Sequence, residues 1–220
     1  MADLKLVMLG SGGHARVLQS ILSEVGFDLH GYVAPRDVDS ILGLRTDGSD
    51  VPWLGYDANL MEFSTEEFLL VNGLGSTSSL RGRASVFAKF KAAGFNFLQV
   101  EAPSAFVADS ASMLEGVQVL NGAIIGPDVF IDDNTIVNTG AIIEHGSNIE
   151  KSVHVSVGAR ICGDVSIGAN THIGAGATVI QGISIGENCI IGAGAVVIRD
   201  IPDNHIAIGV PAQASPIEEQ

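Results

Sequence analysis

This sequence is poor in cysteine, aromatic residues and basic residues. Its 220 residues include two cysteines, which are too few for a disulfide framework or a cysteine-rich zinc site. Lysine and arginine number 11 against 25 aspartates and glutamates, and the resulting net charge of −14 disfavours nucleic acid and anionic lipid as partners. No apolar run is long enough to span a membrane, and no basic, apolar leader opens the sequence. We therefore expect a cytoplasmic protein.

The second half of the chain has a strict six-residue period. From Val107 to Val197 every sixth residue is aliphatic without any insertion, and the position four residues later is usually small or β-branched. A helix cannot present a six-residue period on one face, and a single strand alternates with a period of two. Short strands joined by tight corners can present it, with three hexapeptides to a coil and stacked coils enclosing aliphatic ladders. The period therefore predicts a parallel β-helix.

The first hundred residues lack this period and read as alternating strands and helices. Strands are predicted at 5–9, 30–33, 67–71 and 95–100, and helices at 15–22 and 83–93. This order predicts an α/β domain with a small Rossmann-like parallel sheet. We place the domain boundaries at 1–102 and 103–220, where Pro103 and small residues separate the two patterns.

A glycine-rich loop joins the first predicted strand to the first predicted helix. In Gly10-Ser11-Gly12-Gly13 the backbone can approach a phosphate closely, and the helix start presents free N–H groups to it. The third glycine of a dinucleotide fingerprint and the Lys-Ser/Thr of a Walker loop are both missing. A tight turn without a ligand therefore remains the alternative.

Histidines carry the candidate chemistry of the second half. His154 and His172 are 18 residues apart and should stack on the same side of successive coils. His145 precedes Gly163 by 18 residues, so backbone alone should line the space one coil beyond it. A histidine of ordinary basicity beside a carboxylate, here Glu144, can act as a general base. A plain surface histidine is the alternative.

Together these motifs resemble the hexapeptide-repeat sugar acetyltransferases. The resemblance runs through segments 138–145 and 152–159, the Gly-Gly-His loop, the Pro103-Ser104-Ala105 junction and the closing 208–212. The nearest group is the nucleotide-4-aminosugar N-acetyltransferases of the bacillosamine and perosamine type, to which sialic acid O-acetyltransferases are related. The resemblance implies a left-handed β-helix, shaped as a three-sided prism, that forms a homotrimer. Acetyl-CoA would lie between the prisms of neighbouring subunits, and no metal would be needed. It also implies that the N-terminal domain binds a nucleotide-amino-sugar used in surface-glycan biosynthesis.

The resemblance assigns roles to individual residues. His145 is the general base for the sugar amine, with Glu144 as its adjacent carboxylate, and Gly163 supplies a backbone N–H near the thioester carbonyl. The residues that match positions lining the acetyl-CoA site are His154, Gly163, Ala175, Ala193 and Asn138. Those that match the nucleotide-sugar site are Gly12, Gly13, His14, Ala34, Pro35 and Gly75.

The sequence also departs from the family pattern. Gly146 stands where an acidic residue often follows the catalytic histidine, and Ala34-Pro35-Arg36-Asp37 replaces an acidic pair that reads the base or ribose. The nucleobase is therefore left open. Gln213 stands where a basic residue is common, so Arg160, Lys151 and Arg199 are candidates for the CoA phosphates.

Three alternative functions use the same fold. An O-acetyltransferase of a free sugar such as sialic acid would bind something other than a nucleotide at the N-terminal loop. A zinc enzyme like the γ-carbonic anhydrases would need His154 and His172 to share a metal with a neighbour's histidine. A scaffold without activity would have little use for both His145 and His154.

Overall fold

The computed structural model describes residues 4–35, 42–43, 45–75 and 80–217. Arg36 and Asp37, named above, lie outside these ranges. The chain divides into two compact units, Met1–Pro103 and Ser104–Gln220. Within the described residues, no helix combines the length and apolar character needed to cross a bilayer.

The N-terminal unit is built on a four-stranded parallel sheet. Its elements are β1 (Lys5–Leu9), α1 (Gly13–Glu24), β2 (Leu29–Val33), α2 (Asp57–Leu60), β3 (Phe68–Asn72), α3 (Leu80–Ala92), β4 (Asn96–Phe97) and β5 (Val100–Glu101). The strand order β2-β1-β3-β4 confirms the predicted βαβ arrangement. The predicted strand at 95–100 is divided between β4 and the start of β5, and α2 was not predicted.

Close packing at the carboxyl ends of β1 and β3 brings their loops together. Buried Val7, Leu9 and Leu70 lie on these strands and pack with Phe90 of α3. The Gly73 N–H donates to the Leu9 carbonyl at 2.8 Å, and a Cβ on Gly73 would lie only 2.8 Å from that oxygen. Glycine is therefore required for this approach of the two loops.

The second unit is a β-solenoid whose strands are two residues long until its closing hairpin. In chain order they are β6 (Phe106–Val107), β7 (Ser112–Met113), β8 (Gln118–Val119), β9 (Ile124–Ile125), β10 (Phe130–Ile131), β11 (Ile136–Val137), β12 (Ile142–Ile143), β13 (Asn148–Ile149), β14 (His154–Val155), β15 (Arg160–Ile161), β16 (Ser166–Ile167), β17 (His172–Ile173), β18 (Thr178–Val179), β19 (Ser184–Ile185), β20 (Ile190–Ile191), β21 (Val196–Val197), β22 (His205–Gly209) and β23 (Ala212–Pro216). Strands three places apart in the chain pair in parallel, as β12 does with β15. The strands β22 and β23 close the unit as an antiparallel hairpin.

The three faces of the solenoid stack residues 18 positions apart. One face carries β6, β9, β12, β15, β18 and β21, and a second carries β7, β10, β13, β16 and β19. The third carries β8, β11, β14, β17, β20 and the closing hairpin. The predicted aliphatic ladder is confirmed as the interior, because each of its members from Val119 to Val197 is at most 3% exposed.

The corners of the solenoid depend on a second six-residue series. Every sixth residue from Gly116 to Gly194 has a positive φ, between 54° and 71°. The residues there are glycine, asparagine, aspartate or serine, and the first three tolerate this left-handed conformation best. This series was not predicted, although it is visible in the sequence three residues after each aliphatic position from Met113 to Ile191.

Candidate active site

His145 lies at the corner between β12 and β13, and its side chain is exposed. Its imidazole rests on Gly163 of the next coil, as the 18-residue spacing predicts. A Cβ on Gly163 would lie 2.5 Å from His145 Cε1 and 2.6 Å from Nε2. Only glycine at position 163 leaves room for this position of the ring.

The polar atoms at this corner are available for a ligand. Within the described part of the chain, neither ring nitrogen of His145 makes a hydrogen bond, and neither does the Gly163 N–H. The corner backbone is held by the Asp164 N–H, which donates to the His145 carbonyl at 2.9 Å. A fixed backbone thus presents an imidazole and an N–H donor side by side.

Neither flank of His145 supplies a carboxylate partner to the ring. Glu144 is exposed, and its carboxylate makes no ion pair or hydrogen bond with any other described residue. Gly146 has a φ of 66°, and a Cβ added there would overlap Oδ1 of Asp164. An acidic side chain at position 146 would therefore have to displace the Asp164 carboxylate, although the backbone conformation there is one that Asp128 and Asp164 also adopt.

His154 lies on β14 and is only 4% exposed. Its Nε2 is 3.0 Å from Nδ2 of Asn138, while Oδ1 of that amide accepts from the Thr139 N–H at 2.8 Å. Because the amide oxygen is already engaged, Nδ2 is the donor to Nε2, and the ring proton resides on Nδ1. Asn138 thus fixes the tautomer of His154.

His172 stacks on His154, which confirms the alignment predicted from their spacing. The two rings meet edge to face with centroids 4.9 Å apart, and His172 Nε2 lies 3.2 Å from Ser156 Oγ. Burial lowers the pKa of His172 from its usual 6.5. Its Nδ1 is buried and has no hydrogen-bond partner among the described residues.

The predicted acetyl-CoA residues divide between two corners of the solenoid. Asn138, Ala175 and Ala193 share the corner that follows β11, β17 and β20, next to the strand of His154. The Gly194 N–H donates to the Ala175 carbonyl at 2.8 Å, which links successive coils along this corner. Gly163 instead lies with His145 at the corner that follows β12 and β15. One side of the prism separates the two groups.

The predicted nucleotide-sugar residues lie in the loops that follow β1, β2 and β3 and at the start of α1. Gly12 and Gly13 are exposed, and α1 starts there without a side-chain cap on its first N–H groups. A Cβ on Gly75 would lie 3.8 Å from the Cβ of His14, so the loop after β3 lies against the start of α1.

The loop after β2 contributes buried Ala34 and exposed Pro35. In a parallel sheet, loops at the carboxyl ends of neighbouring strands are where ligands bind.

The three basic residues proposed for the CoA phosphates are exposed, and one of them borders a cavity. Lys151 and Arg160 project from the solenoid surface, whereas Arg199 lines a cavity of about 220 Å³. The other lining residues are Ile198, Asp200, Ile201, Pro211, Ala212, Gln213 and Ala214. Neither His145 nor His154 lines this cavity. Across the described ranges, no group of three or more histidine, cysteine or acidic side chains is placed to hold a metal ion.

Comparison with known proteins finds relatives that match nearly the whole chain. Residues 164–199 match the model of the hexapeptide repeat of succinyl-transferase. The solved PerB of Caulobacter crescentus, in complex with CoA and GDP-perosamine, has 34% identity and a TM-score of 0.86, covering 97% of this chain and 98% of its own. The acetyltransferase domain of PglB from Neisseria gonorrhoeae has 30% identity and a TM-score of 0.84, covering 98% and 100%.

One further solved structure bears on the fold. WeeI of Acinetobacter baumannii has 16% identity and a TM-score of 0.78 over 97% of this chain, which shows the shared fold alone. No curated protein sequence matches this chain.

Proposed function

This chain belongs to the hexapeptide-repeat acetyltransferases that include perosamine N-acetyltransferase and the PglB acetyltransferase domain, and we propose that it N-acetylates a nucleotide-linked amino sugar. The observation that carries the proposal is likeness through both units, at 34% identity, to a protein solved with CoA and GDP-perosamine. The acetyl donor is acetyl-CoA, and the acceptor class is a nucleotide-linked 4-amino-4,6-dideoxy sugar. Both substrates are cytoplasmic metabolites, so the reaction is expected to take place there.

In the proposed mechanism, His145 is the general base. Its ring nitrogens are free to accept the proton that the sugar amine loses as it attacks the thioester carbonyl. The carbon–nitrogen bond forms, the carbon–sulfur bond then breaks, and the CoA thiolate takes up the proton held by His145 and leaves as the thiol. The Gly163 N–H is the proposed donor to the oxyanion that develops between these steps.

The separation of the two corners supports a homotrimer. His145 and Gly163 lie at one corner of a prism, whereas His154, Asn138 and the paired alanines lie beside another. The site would be complete if a neighbouring subunit placed its His154 and Asn138 corner against the His145 and Gly163 corner of this one. In that arrangement His154, with its tautomer fixed by Asn138, contacts the acetyl-CoA.

The test of the function is release of free thiol from acetyl-CoA in the presence of defined acceptors. The acceptors are UDP-, GDP- and dTDP-linked 4-amino sugars, with free sialic acid as the O-acetylation alternative. We expect turnover with a nucleotide-linked amino sugar and a product that carries an amide. Turnover with sialic acid alone would overturn the proposal.

The test of the assembly is sedimentation at micromolar concentration alongside the activity assay. We expect a trimer, because a single prism carries only part of the site. A fully active monomer would contradict this assignment.

A further inference from the structure

A short segment extends the N-terminal sheet beyond β2. Trp53 forms a parallel bridge with Tyr32 of β2. The Tyr32 N–H donates to the Pro52 carbonyl at 3.0 Å, and the Leu54 N–H donates to the Tyr32 carbonyl at 2.8 Å. Because the segment runs parallel to β2, its end emerges at the same edge of the sheet as the glycine loop after β1.

Two aromatic side chains stand at the end of this segment. The Trp53 indole N–H donates to the Ala34 carbonyl at 3.4 Å, which attaches it to the loop after β2. The Tyr56 ring meets the indole edge to face, with centroids 5.3 Å apart and an interplanar angle of 85°. Tyr56 is also the N-cap residue of α2, where its N–H donates to Asn59 Oδ1 at 2.8 Å and its carbonyl accepts from the Asn59 N–H at 2.9 Å. The ring is therefore held in place although its residue is 51% exposed.

We propose that Tyr56, supported by Trp53, is the platform on which the nucleobase of the substrate stacks. This inference rests on the proposed function, since it takes the ligand to be a nucleoside diphosphate attached to a sugar. A half-exposed ring fixed by its neighbours presents a flat face at low entropic cost, and such faces stack every base.

The position of the platform fits the length of this ligand. If the diphosphate lies at the start of α1, the platform is two strand spacings away, about 10 Å. That is roughly the reach from a pyrophosphate across the ribose to the base. The platform therefore supplies, by stacking, a contact to the base at this edge of the sheet.

The chain offers a direct probe, because Trp53 is its only tryptophan. The full-length protein is titrated with GDP, UDP and dTDP, with inorganic pyrophosphate as the probe that lacks a base. We expect at least one nucleoside diphosphate to change the Trp53 fluorescence in a saturable way, and pyrophosphate to leave it unchanged.

Calorimetry then measures the same nucleotides with substituted proteins. Tyr56→Ala should weaken nucleoside diphosphate binding by about 5- to 150-fold, while Tyr56→Phe, which keeps the ring, should restore it. Phe27→Ala is the matched control, because Phe27 is an aromatic residue of the same unit that is also 51% exposed. It should bind like the unchanged protein. Thermal unfolding of each variant checks that it is folded.

The outcomes separate this inference from the proposed function. The platform would be overturned if nucleotides bound without changing the Trp53 fluorescence and bound Tyr56→Ala as tightly as the unchanged protein. The proposed acetylation of a nucleotide sugar would still stand in that case. Failure of the unchanged protein to bind any nucleoside diphosphate or to acetylate a nucleotide sugar would overturn both.

Discussion

The glycine loop of the N-terminal unit and the glycines along the solenoid differ in what surrounds them. A Cβ on Gly168 or Gly174 would lie 2.6 Å or 2.5 Å from backbone nitrogen of the next coil. A Cβ on Gly12 or Gly13 would meet no described atom within 4 Å. Glycines of the first kind are required by the fold, whereas those of the second kind are free to face a ligand. Gly163 is intermediate, because the atoms nearest to a Cβ there belong to the His145 side chain.

The largest effect is expected for a corner residue of the solenoid whose role is catalytic rather than structural. His145→Ala should lower turnover by about 10²–10⁴-fold, the usual contribution of a general base. Unfolding temperature and acetyl-CoA affinity should change little, because the side chain is exposed. Gln181→Ala is the control, since Gln181 is exposed at the same corner two coils later. Retention of more than half of the activity by His145→Ala would contradict the role of the base.

The next prediction separates the two kinds of solenoid glycine by the same substitution. Gly174→Ala forces a methyl group onto the backbone of the next coil and should destabilise the fold by about 1–3 kcal/mol. Gly163→Ala meets an exposed imidazole that can swing away, so it should lose activity without losing stability. Thermal unfolding and the thiol-release assay, run on both variants, measure the contrast. Equal unfolding temperatures for the two variants would show that the distinction between a structural Gly174 and a functional Gly163 is wrong.

The N-terminal unit should show the same division on a smaller scale. Gly73→Ala brings a methyl group to 2.8 Å from the Leu9 carbonyl and should lower the unfolding temperature. Gly12→Ala has open space around it and should leave that temperature unchanged while raising KM for the nucleotide sugar. If KM is unaffected in a folded Gly12→Ala protein, the diphosphate does not lie at the start of α1.

The regular unit was also the more predictable one, because every coil repeats the same geometry. The 18-residue spacing alone placed His145 over Gly163 and His154 beside His172. The same arithmetic, had it been applied to Ala175 and Ala193, would have separated their corner from that of Gly163. The family resemblance instead assigned Ala175, Ala193 and Gly163 together to the acetyl-CoA site.

The aromatic pair of the N-terminal unit has no comparable signal in the sequence. Trp53 reaches β2 through an isolated bridge to Tyr32, and Pro52 and Gly55 interrupt any strand pattern around it. Its position depends on pairing between residues far apart in the chain, which no local period reports. For the same reason α2, which is only four residues long, was missed.

The smallest predicted effect concerns a residue that costs the solenoid stability. Ile136 and Ile190 occupy the same ladder as His172, yet His172 carries a buried Nδ1 with no partner among the described residues. An unsatisfied buried polar atom costs about 1–3 kcal/mol, so His172→Ile should raise the unfolding temperature.

His172→Ile should also change how stability depends on pH. Burial holds the pKa of His172 below 6.5, so the unfolded chain binds the proton more readily than the folded chain does. Above pH 6.5 the histidine is neutral in both states, so its titration does not affect the free energy of unfolding. As the pH falls below that value the unfolded chain takes up the proton first, and the folded state loses stability. His172→Ile should therefore flatten the fall in unfolding temperature on acidification. Thr178→Ile, on another ladder and without a titratable group, should keep the original slope. An unchanged slope in His172→Ile would show that other groups set the acid sensitivity of the solenoid.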